Sequence, residues 1–259
     1  MKKFGRLLVI ALAVVFVLML AGCGEEKNSI GAEFAEIKPG SFHMGEGKLS
    51  SGKMVFAAPN IHHVTLTKGF YMGKHEITEG QWYMVMGGNK PVADREKLPA
   101  AVSRDMALEF IKKLNEKEKT DKYRLPTNAE WEYAARAGTK TLFFFGEDEN
   151  QLGEYAWFKG NSDNKLHPVG TKKPNPWGLF DVYGNVSEWT QDRSISLSNK
   201  RVDVTDPMED DGQRGRSINF LIRGGSCSSE ANAANSVSRP GNFGDYKRAD
   251  AGFRLVKSK

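Results

Sequence analysis

Cys227 is the residue of this 259-residue chain whose chemistry has to be decided first. It lies in RGGSCSSEANAANSVSRPGNFGDYKRADAGFRLV, residues 223–256. A nucleophilic thiol needs a base, and a further group to orient that base. The histidines are His43, His62, His63, His75 and His167, and none falls in this stretch. The other chemistry open to residues 227–251 is recognition. Ser, Asn, Asp, Gly and Ala are adaptable contact residues, and Phe243 and Tyr246 are rigid anchors of the kind antibody paratopes use. Asn242-Phe243-Gly244-Asp245-Tyr246 is the best candidate patch. Cys227, Ser228, Ser229, Glu230 and Asn232 precede it as further candidate contacts, and Ala249 and Asp250 follow. A long segment between fixed ends carries function more often than packing does, although composition alone favours a plain solvated loop.

The elements that must hold this segment are short. Ala32 to Met44 alternates and breaks at Pro39-Gly40, as a hairpin would, and His62 to Tyr71 alternates with Val64 and Leu66 on one face. Thr78 fits a helix N-cap with Gln81 three residues on, and Trp82, Tyr83 and Met86 form the expected buried face. Ser103 caps a second helix, Arg104 to Glu116, with Ala107, Phe110, Ile111 and Leu114 at helical spacing. Thr127 caps a third, Asn128 to Arg136, with Glu130 completing the box and Gly138 stopping it. From Thr139 onward Gly, Asn, Pro and Asp dominate and no long helix is visible. The pattern predicts an α+β domain with a few early helices, then irregular structure around small antiparallel sheets.

Residues 1–22 stand apart. Lys2, Lys3 and Arg6 precede an apolar run of 14 residues, Leu7 to Leu20, short for a spanning helix and ending in small residues, as in a secretory signal. Leu20-Ala21-Gly22-Cys23 resembles the bacterial lipobox, which implies lipidation of Cys23, residues 23–31 as a tether, and anchoring of the exported chain to the cell envelope. With Cys23 so used, Cys227 has no intrachain partner. The formal charge of +5 loses three with Lys2, Lys3 and Arg6 and becomes +2. With no basic stripe or reading motif, nucleic acid is excluded as a partner. The remaining 237 residues suffice for one large domain or two small ones.

Several phrases then coincide in order: Phe42-His43-Met44-Gly45, Glu76-Ile77-Thr78-Glu79-Gly80-Gln81-Trp82, residues 124–136 (RLPTNAEWEYAAR), residues 175–189 (NPWGLFDVYGNVSEW), Arg223-Gly224-Gly225-Ser226 and Gly252-Phe253-Arg254. Together they resemble the formylglycine-generating enzyme (sulfatase-modifying factor) family over residues 32–256. The resemblance implies one domain, residues 32–259, with a loop-rich variant of the C-type lectin fold. In such a domain Trp131, Trp177 and Trp189 read as core aromatics, and Arg124, Glu132, Arg223 and Arg254 as members of buried ion pairs that pin loops.

Family members that oxidise a substrate cysteine resemble one another in a copper-binding cysteine pair shortly after Gly-Gly-Ser, a soft-ligand site suited to Cu(I). The matching positions here are Ser229 and Ala234, so neither copper nor the oxidase reaction is expected. A calcium site of the family resembles Asn-x-x-Gly-x-Ala-x-Glu, and its match is Asp181, Gly184, Val186 and Glu188. The resemblance implies calcium held by two carboxylates and two carbonyls; the alternative is that Asp181 and Glu188 are ordinary hydrogen-bonded loop residues. Residues 227–251 also resemble the variable region of retroelement-diversified proteins, among them variable lipoproteins of spirochaetes. There asparagine codons scatter into many residue types, but not Glu, Lys, Gln, Met or Trp. Only Glu230 and Lys247 in this segment belong to the excluded set. The leading expectation is a non-catalytic surface lipoprotein that binds another protein or surface ligand through residues 227–251. The alternatives are a divergent enzyme using Cys227 and an envelope protein with a constant partner.

Overall fold

The computed structural model describes residues 26–47, 61–194, 203–208 and 219–259. The signal segment and Cys23 lie outside the described residues. The chain begins with β1 (Glu26–Lys27), β2 (Glu33–Ile37), β3 (Gly40–Met44), β4 (His62–Leu66) and β5 (Phe70–Gly73). Helices α1 (Glu79–Met86) and α2 (Arg104–Glu118) follow, then β6 (Tyr123–Arg124), α3 (Asn128–Arg136) and α4 (Leu152–Tyr155). The second half holds β7 (Ser187–Arg193), β8 (Val204–Thr205), β9 (Asn219–Arg223), β10 (Gly241–Phe243), β11 (Ala251–Gly252) and β12 (Val256–Ser258). This is the expected loop-rich α+β architecture, with no long helix after residue 139 among the described residues.

The strands form three sheets, in the orders β1-β2-β5-β12-β6, β10-β9-β7-β11 and β3-β4-β8. Two expectations change here. Pro39-Gly40 does not close a hairpin: β2 pairs with β5 in the first sheet, whereas β3 pairs with β4 in the third. The break lets the chain change sheets beneath Tyr133, whose Oη would lie 2.2 Å from a Cβ at residue 40, so any side chain there would have to displace the tyrosine hydroxyl. The supposed tether is also shorter than residues 23–31. Glu26 and Lys27 already pair with β2, the Asn28 side chain accepts from Ile30 N and Ala32 N, and Ile30 is buried.

The helices start where their caps require. Thr78 with Gln81 and Thr127 with Glu130 form reciprocal capping boxes, and the Ser103 hydroxyl accepts from Met106 N. Helix α2 buries Ala107, Phe110, Ile111 and Leu114, a face worth roughly 1.5–3 kcal/mol for each large side chain. Helix α1 differs from expectation, for none of its residues is fully buried. Trp82 stacks on Phe110 with ring centroids 5.3 Å apart, while Tyr83 stays half-buried beside an open cavity. Helix α3 runs through the core, and Ala137 (φ 48°) and Gly138 (φ 89°) turn the chain out of it. Trp131 and Trp189 are core aromatics, whereas Trp177 is only partly buried. Arg124 pairs with Glu130 near the surface, so it is not one of the buried pairs.

Candidate functional site

Residues 223–251 leave β9, return to the same sheet as β10, antiparallel to β9, and enter it again as β11, parallel to β7. Gly224 and Gly225 make the departure possible. Both have positive φ, and an added Cβ would lie 2.7 Å from Val182 O at Gly224 and 2.9 Å from Ala234 Cα at Gly225. Arg223, fully buried, donates to Glu132 Oε2 and to the carbonyls of Ser236, Val237 and Ser238. Glu132 in turn holds Arg136 and accepts from Gly45 N. Burial works to raise the Glu132 pKa, yet Arg136 and Arg223 together hold it below the ordinary carboxylate range. The Asn235 carboxamide accepts from Val237 N and Ser238 N, and Tyr183 and Ser236 share a hydroxyl bond of 2.6 Å. Residues 234–238 are therefore core, not a solvated loop.

The rest of the segment is pinned at Asp250. Its carboxylate accepts from Ser226 Oγ at 2.7 Å, Ser228 Oγ at 2.5 Å and Arg248 Nε at 2.9 Å. Burial alone would raise its pKa, but these donors outweigh burial and hold it at about 2. What remains outward-facing falls into two runs. Ser228 and Glu230 are exposed, with Ser229 and Asn232 half-buried beside them, and Glu230 reaches Lys159 at 2.5 Å. In the second run Phe243, Asp245, Tyr246 and Ala249 are exposed and Asn242 is half-buried. Phe243 and Tyr246 keep 45% and 60% of their surface in water. Gly244 is buried against Phe220 and its carbonyl accepts from Asp105 N, so it shapes the turn and offers no side chain.

Cys227 is likewise not a contact residue, being 3% exposed. Its N–H donates to Asn185 O and its carbonyl accepts from Ser162 Oγ. Burial first, then the negative charges of Asp250 and Glu76, push the thiol up to about 11. At neutral pH only about one thiol in ten thousand would be ionised. Ser229, at one of the expected thiolate positions, accepts from Ser226 N to close a turn, and Ala234, at the other, packs against Gly225.

The two carboxylates read as calcium ligands have different surroundings. Glu188 is fully buried and bonded to Arg254, through Nε at 2.7 Å and Nη2 at 2.6 Å, and to the Trp131 indole N–H. Gly184 packs so tightly on Trp157 O that a Cβ would lie 2.1 Å from it. Asp181 does retain a buried oxygen, Oδ1, without a partner among the described residues, while Oδ2 accepts from Gly170 N. Burial raises its pKa to about 6. Glu76, which the sequence reading passed over, lies beside these carboxylates. It accepts from Val186 N and Asn185 Nδ2, and burial and then the charges of Asp181 and Glu188 raise its pKa well above the ordinary range. Among the described residues no three His, Cys, Asp or Glu side chains are arranged to hold a metal ion. The cluster fixes loops, and the charge of Arg254 keeps Glu188 in it.

The sulfatase-modifying factor enzyme 1-like domain matches residues 23–259. The chain is 27% identical over 303 aligned residues to the chaperone protein LppX of Paenibacillus barcinonensis, covering 97% of this chain and 99% of that one. It is 44% identical over 78 residues to the formylglycine-generating enzyme of Mycobacterium tuberculosis, an alignment spanning 26% of each. Among solved structures, Treponema denticola variable protein 1 superposes with a TM-score of 0.76 at 26% identity, covering 91% of this chain and 99% of that one. The fold is thus C-type lectin-like, of the kind these relatives share.

Proposed function

Because the chain belongs to the sulfatase-modifying factor enzyme 1-like family and has Ser229 and Ala234 where oxidases of that family resemble one another in cysteine, we propose that it is a non-catalytic binding protein. It is exported, lipidated at Cys23 and displayed on the cell envelope, where residues 227–251 bind another protein. The observation that carries this reading is the division of labour within the segment. Arg223 and Asn235 fix the backbone by buried hydrogen bonds and Asp250 ties Ser226, Ser228 and Arg248 together, while Glu230, Phe243, Asp245, Tyr246 and Ala249 face outward. Side chains on a backbone that is already ordered are exchangeable without disturbing the scaffold, and little ordering entropy is lost on binding. The similarity to Treponema denticola variable protein 1 supports diversification of these positions. The raised thiol pKa of Cys227 speaks against the enzymatic alternative.

The test is to sequence the 3′ end of the gene and its flanking DNA from many isolates. Substitutions are expected at the outward positions other than Glu230 and not at Arg223, Asn235 or Asp250, beside a near-copy template. An invariant segment without a template would remove the diversification reading and leave an envelope protein with a constant partner. Retention of the protein in the membrane fraction, lost in Cys23→Ser, tests the anchor.

A further inference from the structure

Beside the closing segment lies a cavity of about 520 Å³ whose walls come mostly from outside that segment. One wall is α1 with the turn after it, including Trp82, Tyr83 and Pro91; another is Ala100–Val102 with Met106 of α2. Lys247 and Ala249 complete the rim from the closing segment. The floor is rigid. Val102 N donates to Ala251 O, Val102 O accepts from the Trp189 indole, and Trp82 is stacked on Phe110 yet only half-buried. The volume is within the range of small-ligand pockets, and the lining is the mixture of apolar and aromatic groups that such pockets use.

The rim is charged unevenly. Its titratable residues are Glu79, Tyr83, Lys90, Arg95 and Lys247. Arg95 is bidentate with Glu79, and Lys90 faces Glu96 at 3.5 Å. Lys247 is exposed and has no ion pair among the described residues, which leaves an unmatched positive charge at the mouth of an apolar pocket. We propose that this cavity is a second subsite of the binding face, walled mostly by residues outside the closing segment, which takes an aromatic side chain of a protein partner flanked by a carboxylate that meets Lys247. The subsite rests on the reading of residues 227–251 as a binding face and deepens it: the outward side chains choose the partner, and the pocket anchors an acidic-aromatic segment of it. An anchor of this kind suits a diversified face, because a hot spot in a desolvated pocket can supply affinity that the surrounding contacts then modulate.

The probe is N-acetyl-Glu-Phe-amide, titrated into isotope-labelled protein and followed by two-dimensional NMR, with N-acetyl-Lys-Phe-amide and N-acetyl-Glu-Ala-amide alongside. The Glu-Phe probe is expected to shift the Trp82 indole and the amides of Val102 and Lys247, and the Glu-Ala probe to leave them in place. An exposed charge pair of this kind is worth about a two- to fivefold preference for Glu-Phe over Lys-Phe, lost in Lys247→Ala. Ala249→Trp fills the mouth from an exposed position and is expected to abolish the shifts while the spectrum remains that of a folded protein. No shift in the wild type, unchanged shifts in Ala249→Trp, or equal binding of the Lys-Phe probe would each overturn the proposal. An invariant closing segment across isolates would remove diversification without touching this result, so the two readings fail separately.

Discussion

Arg223→Met tests how the closing segment is held. The side chain is completely buried and serves four acceptors, Glu132 and the carbonyls of residues 236, 237 and 238. Methionine keeps much of the volume and gives no donor. Glu132 keeps Arg136 and the Gly45 N–H, so it is not stranded, but three carbonyls lose their partner in a region that water does not reach. Breaking a buried ion pair from one side costs about 3–5 kcal/mol. For a domain of this size each kcal/mol lowers Tm by about 2–4 °C, so a fall of roughly 6–20 °C is expected. Urea unfolding should give the same loss with an unchanged slope. Hydrogen exchange should rise first at 236–238, before the rest of the core. Pairing the variant with Glu132→Gln in a double-mutant cycle should give a coupling of about 1–3 kcal/mol. A loss below about 1 kcal/mol, or exchange that rises uniformly, would refute the claim that Arg223 fixes this stretch of backbone.

Cys227 should react with iodoacetamide at pH 7.5 about a hundredfold or more slowly in the folded protein than in urea, because burial holds its pKa at about 11; labelling at the rate of a free thiol would restore it as a nucleophile. The two aspartates should respond to pH with opposite signs. The folded pKa of Asp250, about 2, is below its unfolded value, so its contribution is present above about pH 4 and lost as pH falls towards 2; Asp250→Asn should blunt that acid sensitivity in a urea titration. Asp181, at about 6, is raised, so its carboxyl contributes most at low pH and stability falls as pH rises from about 4 to 6; Asp181→Asn should gain on the wild type above pH 6 and not below pH 4. Calcium should leave the Tm of both proteins unchanged, and a rise confined to the wild type would show an ion reaching the free Oδ1 of Asp181.

Local signals carried far in this sequence, and tertiary ones did not. Thr78, Ser103 and Thr127 mark helix starts because a cap acts within its own first turn. The apolar spacing of Ala107, Phe110, Ile111 and Leu114 marks the buried face of α2 for the same reason. Pro39-Gly40 misled because a turn and a sheet change look alike until the partners of the flanking strands are known. The spacing of Glu188 from Asp181 is local, whereas its bonded partner Arg254 is 66 residues away and could not be read from that spacing. The candidate contacts were recognised as one segment, but not that Cys227 and Gly244 turn inward and that 234–238 is core. The pocket beside them was invisible, since α1, Ala100–Val102 and Lys247 meet only in the fold.

Strand β12 enters the first sheet between β5 and β6, and it is synthesised after the whole closing segment. Until it arrives, β5 and β6 have a gap between them, and no earlier strand fills it. The order of synthesis therefore sets a checkpoint: a chain cut short or shifted in reading frame anywhere in residues 227–251 never receives Val256–Ser258 and cannot complete the sheet. Such chains present open strand edges to proteases and chaperones. A gene that accumulated changes in this segment would have its broken products discarded at folding, so that the folded ones are those read through in frame.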